Sequence, residues 1–295
     1  MLEFQNLIKQ KVPLFELAAL AAMGQFNENT GFVKEISAIS ELSGIPFNQL
    51  FVINFVYELW SACTSVVVRD KNNLIFHGRN LDYPFQQIFS KLVSTGNFYK
   101  NGKLLYKANI FAGCIGIFEG IRLGGFGVSL NARFGTGDIL LNFVEYDFTA
   151  NVPVSYKLRE VLENKENFDE ALHELEHAKL GAKCYLTVSG IKNNEGAILE
   201  RLPLSLVEKV QLNDNQWFIV ITNHDKLSLM DSLVDFRRIP AEIRILAANQ
   251  DGITQQKLFD EVMSKYPNFN EETIVSTVMT PLTGIHNATT WWAEN

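Results

Sequence analysis

At Cys63 the chain changes its periodicity. Ahead of it, apolar residues recur at helical spacing over 14–23 and 32–43, and Pro46 opens a third helical pattern over 46–59. Behind it, Thr64 to Val68 is a run rich in β-branched residues. A polar turn, Arg69-Asp70-Lys71-Asn72-Asn73, and a second apolar run, Leu74-Ile75-Phe76, follow. A helical segment therefore runs straight into a β-hairpin. Further strands are predicted over 104–118, 126–131, 184–191, 196–201, 206–212 and 216–222, with a last pair between Thr273 and Trp292. Asn193-Asn194-Glu195-Gly196 is a hairpin turn signal. Helices are predicted over 154–163, 167–178, 234–248 and 254–265. Strands in runs, then helices, then strands again predict an α+β fold of antiparallel sheets packed under helices.

Composition narrows the function classes. With 295 residues, the chain can bury one large core or two small ones. A net charge of −7 argues against a nucleic-acid partner, which would need clustered Lys and Arg. The 22 Phe suit a thick core or a site for greasy substrates. Three cysteines, Cys63, Cys114 and Cys184, are too few and odd in number for a disulfide framework, so a reducing compartment, the cytoplasm, is expected. Glu3 and Glu16 interrupt what would otherwise resemble a secretory leader, and the apolar run from Val12 to Met23 is too short to span a bilayer.

Two motifs are set aside, so no metal or cofactor is expected. His173-Glu174-Leu175-Glu176-His177 has the zincin spacing, but Glu176 stands where an apolar residue is usual and the helix is charged on several sides. Gly124-Gly125-Phe126-Gly127 lacks dinucleotide-binding spacing and marks a tight turn between strands. Trp291-Trp292 is expected to cover the core.

A lone Cys beside a strand is usually a small buried hydrophobe. At Cys63 the hairpin adds something. Centred on Lys71, it sets Cys63 across from Arg79, and a guanidinium at that distance favours thiolate over thiol. Asp82 follows three residues on, just past the strand. The bland alternative is a surface Arg–Asp pair. A thiol hydrolase with a histidine base finds no convincing candidate among His77, His224 and His286.

The run Tyr57-Glu58-Leu59-Trp60-Ser61-Ala62-Cys63-Thr64-Ser65-Val66-Val67-Val68 and the later His77-Gly78-Arg79-Asn80-Leu81-Asp82-Tyr83-Pro84 resemble the acid ceramidase and N-acylethanolamine acid amidase family. More distantly, the Cys, Arg and Asp spacing is similar to that of bile salt hydrolases and penicillin V acylases. The resemblance continues through Ser43-Gly44-Ile45-Pro46, Phe111-Ala112-Gly113, Ser129-Leu130-Asn131, Thr222-Asn223-His224-Asp225 and Asp235-Phe236-Arg237-Arg238-Ile239-Pro240-Ala241, most of the chain.

The resemblance implies a four-layer αββα N-terminal nucleophile hydrolase that cuts itself between Ala62 and Cys63. Residues 1–62 would become a helical α fragment and 63–295 a catalytic β fragment, the two staying associated. Cys63 is then the nucleophile, Arg79 and Asp82 its partners, Asn223 the oxyanion donor and Arg237 an active-site arginine. Tyr83 and Asn131 are expected at the substrate. That substrate would be an N-acyl lipid amide such as a ceramide or N-acylethanolamine. The helices ahead of Cys63 would line the acyl channel or touch a membrane surface. The freed α-amine, with an ordinary pKa of roughly 7.7–8.0, can carry the thiol proton. One position departs from the pattern: the family carries a Glu after Leu130-Asn131, where this chain has Ala132. A catalytically impaired lipid-binding relative is therefore the alternative reading.

Overall fold

The computed structural model describes residues 30–59, 62–84, 86–133, 153–224 and 236–291. The helix predicted over 14–23, Asp225, Asp235 and Trp292 lie outside these residues.

Two helices, α1 (Gly31–Ser43) and α2 (Phe47–Leu59), precede the first strand. Thr30 caps α1 by accepting a hydrogen bond from the Val33 amide, and Gly44 ends it in the left-handed conformation that glycine adopts without strain. The strands are β1 (Ala62–Arg69), β2 (Ile75–Asp82), β3 (Val93–Lys100), β4 (Lys103–Phe111), β5 (Glu119–Arg122) and β6 (Phe126–Ala132). After them come α3 (Val154–Asn164), α4 (Phe168–His177), β7 (Cys184–Ser189), β8 (Gly196–Leu202), β9 (Ser205–Gln211) and β10 (Phe218–Ile221). The chain continues through α5 (Arg238–Ala248), a π-helix (Leu258–Met263), β11 (Thr273–Thr280) and β12 (Ile285–Thr290).

The strands form two antiparallel sheets, one ordered β10-β1-β2-β11-β12 and the other β3 through β9 in sequence order. Val66, Val68, Phe76, Val220 and Val278 on one side of the first sheet pack under Ala241, Ile245, Val262 and Met263 of α5 and the π-helix. On the far side of the second sheet, Leu158, Val161, Leu162, Phe168 and Leu175 of α3 and α4 close the core. The result is the four-layer αββα sandwich, and the side chains of Cys63, Arg79 and His77 fall on the inner face between the sheets.

Three expectations need correction. The β1–β2 hairpin is shifted by one residue on each strand: Cys63 pairs with Leu81, and Arg79 with Ser65. The reason is the turn, which Asp70 organises by accepting the amides of Asn72 and Leu74, with Asn73 at φ 65°. The stretch 104–118 is not one strand; β4 ends at Phe111 and β5 begins at Glu119. β3 was not predicted. It is an edge strand whose surface is largely exposed, so it lacks an apolar run.

The N-terminal helices are stitched to the body. Buried Asn54 donates to Gly113 O at 3.0 Å and accepts from the Ile115 amide at 2.9 Å. Glu35 pairs with Arg159 of α3 at 2.6 Å, and Phe32 meets Tyr156 edge-on. No helix among the described residues is long and apolar enough to cross a membrane.

Candidate active site

Both the nitrogen and the sulfur of Cys63 are held by side chains singled out from the sequence. Its backbone amide donates to Asn223 Oδ1 at 2.8 Å. Arg79 Nη2 reaches its Sγ at 3.2 Å. The register shift does not separate this pair, because Cys63 and Arg79 lie on one face of the hairpin as diagonal neighbours within reach of a long side chain. Cys63 and Arg79 are both fully buried.

Asp82 closes the other side. It pairs in register with Ala62, the residue before Cys63. Arg237 bridges the two halves: Nη1 donates to Asp82 Oδ2 at 3.0 Å and Nη2 to Asn223 Oδ1 at 2.8 Å. Thr273 Oγ1 and Asn270 Nδ2 complete the Asp82 shell at 2.8 and 3.1 Å. Burial nevertheless pushes this carboxyl above the usual carboxylate range, outweighing Arg237 and the two hydrogen bonds. The amide orientation of Asn223 is fixed by its neighbours. Two donors, Cys63 N and Arg237 Nη2, meet Oδ1, while Nδ2 donates to Ala132 O at 2.7 Å. The oxygen of Asn223, not its nitrogen, thus faces the Cys63 amide.

Behind the sulfur the inter-sheet space is polar. Ser65 Oγ donates to Asn131 Oδ1 at 2.7 Å and lies 2.9 Å from Ser129 Oγ. Asn131 Nδ2 donates to Thr222 O at 3.0 Å, which ties β6 to the end of β10. His77 lies between Ser129 and Ser189, at 2.9 and 3.0 Å. Burial, and then the nearby Arg79 charge, lower His77 to about 3, so it stays neutral at ordinary pH. Its nitrogens engage hydroxyls rather than the thiol. Tyr83 is fully buried, with its ring 4.3 Å from that of Phe89.

The structure thus gathers Cys63, Arg79, Asp82, Asn223 and Arg237 into one network, with Asn131 behind it and Ala62 half-buried at its edge. Sequence reading missed Glu119, Asn109, Asn270 and Thr273. Glu119 Oε2 lies 3.2 Å from Arg79 Nη1 and is 1% exposed. An acidic residue directly after the apolar run Ile115 to Phe118 was the available signal. Ala132 brings its backbone oxygen but no charge. On α4, His173, Glu176 and His177 have ligand atoms within 4.8 Å of one another, and Lys209 Nζ occupies Glu176 at 2.7 Å.

Comparison with known proteins gives the family. Residues 63–226 match the model of the linear amide C–N hydrolases, choloylglycine hydrolase family, and the match begins at Cys63. The N-acylethanolamine-hydrolyzing acid amidase of Caenorhabditis elegans is 32% identical over 263 residues, spanning 85% of this chain and 73% of that protein. Human acid ceramidase is 28% identical over 265 residues, spanning 84% and 67%. The solved structure of the Caenorhabditis elegans amidase ortholog superposes with a TM-score of 0.68 at 35% identity, over 75% of this chain and 93% of that one. With a family model covering more than half its length and a curated relative above 30% identity, the chain belongs to the linear amide C–N hydrolases of the choloylglycine hydrolase family.

Proposed function

We propose that this protein cuts itself between Ala62 and Cys63 and then uses Cys63 to hydrolyse the amide bond of N-acyl lipids such as ceramides or N-acylethanolamines. The observation that carries the reading is the double hold on one residue: Asn223 on the Cys63 nitrogen at 2.8 Å and Arg79 on its sulfur at 3.2 Å. A structural cysteine's buried amide also needs an acceptor, but its sulfur has no need of a guanidinium, so the Arg79 contact is the discriminating half. The names of the relatives supply the substrate class.

In maturation, Sγ would add to the Ala62 carbonyl carbon. The C–N bond would break, its nitrogen taking a proton to become the Cys63 α-amine. Water would then release Ala62 as a carboxylate. In turnover the free amine takes the thiol proton, the thiolate attacks the substrate carbonyl, and the proton passes to the departing amine. Water hydrolyses the remaining thioester. Arg79 would stabilise the thiolate, and Asp82, itself held by Arg237, would orient the amine. Once the peptide bond is gone, Asn223 Nδ2 could exchange the Ala132 carbonyl for the oxyanion. Removing one such donor typically costs about 10²–10³ in turnover. Tyr83 and Asn131 would shape the walls around Cys63 from within the sheet pair.

Residues 1–62 and 63–295 are the fragments this cut would leave, and the contacts of Asn54, Glu35 and Phe32 favour their staying together. Three cysteines, an odd and sparse set, favour a reducing compartment, and the cytoplasm is part of this proposal on that ground. Peripheral contact of the N-terminal helices with a lipid surface belongs to the same proposal.

Intact-mass spectrometry at neutral and then acid pH tests it. Wild type is expected to split before Cys63, while Cys63→Ala stays whole. A second reading, a lipid-binding relative without catalysis, draws on the uncharged Ala132. A wild-type chain that stays whole and takes no acyl group onto Cys63 from an activated ester would establish that reading instead.

A further inference from the structure

The Arg79 guanidinium has three hydrogen-bond partners: Leu130 O at 2.7 Å, Cys63 Sγ at 3.2 Å and Glu119 Oε2 at 3.2 Å. Its Nε has none among the described residues. Leu130 O is neutral and Sγ is the reacting atom, so Glu119 is the partner that holds the buried cation by charge.

Glu119 is itself built into place. Asn109 Nδ2 and Thr277 Oγ1 both donate to its Oε1, while Arg79 Nη1 donates to Oε2. Asn109 Nδ2 also donates to Thr277 Oγ1 at 2.9 Å, and Asn109 Oδ1 accepts from Thr95 Oγ1 at 3.1 Å, which fixes the Asn109 amide. Three donors therefore converge on two oxygens. That set fits a carboxylate and not an amide, which would have to turn its own N–H toward a donor. The donors come from β2 and β11 of one sheet and β4 of the other, so Glu119 locks the guanidinium at the height of the sulfur across both sheets.

We propose that Glu119 is the positioning residue of the cysteine site. It holds the Arg79 fork so that Nη2 addresses Cys63 Sγ, and its charge sets how strongly that fork favours the thiolate. This rests on reading Cys63 as the nucleophile. With Glu119 present, Arg79 and Glu119 form a neutral pair, and the thiolate formed in turnover meets a guanidinium already aimed at it. Without the carboxylate, the cation stands uncompensated and keeps the sulfur charged, while its fork is free to swing. The other charged or titratable groups around the pair are His77 and Asp82 on β2, Arg237 ahead of α5, His286 on β12 and Lys107 on β4.

Glu119→Gln and Glu119→Asp, each in the full chain with and without Cys63→Ala, separate the outcomes. Thiolate absorbance near 240 nm, taken as the difference against the Cys63→Ala partner, gives the Cys63 titration without needing turnover. Hydrolysis of a fluorogenic N-acyl amide gives kcat and KM. Glu119→Gln is expected to lower the titration midpoint by about one pH unit or more. Its kcat should fall about 10²-fold, as for a misplaced catalytic group, with KM within about threefold. Glu119→Asp keeps the charge but is one methylene short, so its midpoint should match wild type while kcat falls about tenfold. A folded Glu119→Gln chain with the wild-type midpoint and kcat overturns the proposal. If Glu119→Gln does not fold, wild-type kcat in Glu119→Asp overturns it. Absence of any Cys63-dependent hydrolysis in wild type would instead remove the amidase reading, and the midpoint shift alone would then decide the case of Glu119.

Discussion

Two arginine–carboxylate pairs flank Cys63, and they differ in depth. Arg79 and Glu119 are 0% and 1% exposed between the sheets, whereas Arg237 is 13% exposed above a buried Asp82. The deep pair is braced by strands of both sheets. The rim pair is braced by Asn223, Asn270 and Thr273 near the end of β2. A charge with no path to water depends wholly on its partner, while a charge near the surface can fall back on solvent. The deep pair is therefore suited to fixing geometry, and the rim pair to work that would change if the chain is cut as proposed.

The contrast breaks most readily at Arg79. Arg79→Met leaves Glu119 buried without its cation and is expected to cost about 3–5 kcal/mol in urea unfolding. A loss below about 1 kcal/mol would put the two pairs on an equal footing. His77, behind the deep pair, gives the next effect. Folded His77 takes a proton only near pH 3, while the unfolded chain takes one near 6.5. The unfolded state therefore binds more protons in that window. Stability should fall as pH drops from 6.5 toward 3, by up to ~1.4 kcal/mol per unit, and His77→Asn should flatten the slope.

The rim pair should respond less in stability and more in turnover. Burial raises Asp82, so the folded chain holds its proton to higher pH than the unfolded chain does. Its contribution to stability grows as pH falls through the folded value and is lost as pH climbs above it. Asp82→Asn is thus expected to change stability by no more than about 1.5 kcal/mol at pH 8, since Arg237 can reach water, while hydrolysis is lost. Arg237→Lys keeps the charge but not the fork joining Asp82 to Asn223. It should lower kcat about tenfold and leave the urea midpoint nearly unchanged.

Local spacing exposed one half of each pair, Asp82 at the rim and Arg79 in the depth. Cys63, Arg79 and Asp82 lie within one hairpin, where alternation and spacing can be read directly. The turn at Asp70 displaced the pairing by one residue per strand, yet Arg79 is long enough that its contact with Cys63 survives. Asn223 and Arg237 came from resemblance, since 160 residues separate Cys63 from Asn223 and no local pattern links them. Glu119 escaped because its charged partner Arg79 and the Thr277 hydroxyl are 40 and 158 residues away, and Asn109, 10 residues back on the neighbouring strand, carries no charge to point to it. A lone acidic residue after Phe118 looks the same whether it ends a strand in water or anchors a buried cation.

Asn54 carries a consequence of its own. It lies before the proposed scission and is hydrogen-bonded to Gly113 and Ile115 beyond it. While the backbone is continuous, that clasp can reopen and reclose without either side drifting off. After scission, thermal denaturation would release two separate molecules whose reunion depends on dilution. The severed protein should therefore remember having been made in one piece, and should fail to recover from a melt that its unsevered Cys63→Ala counterpart survives.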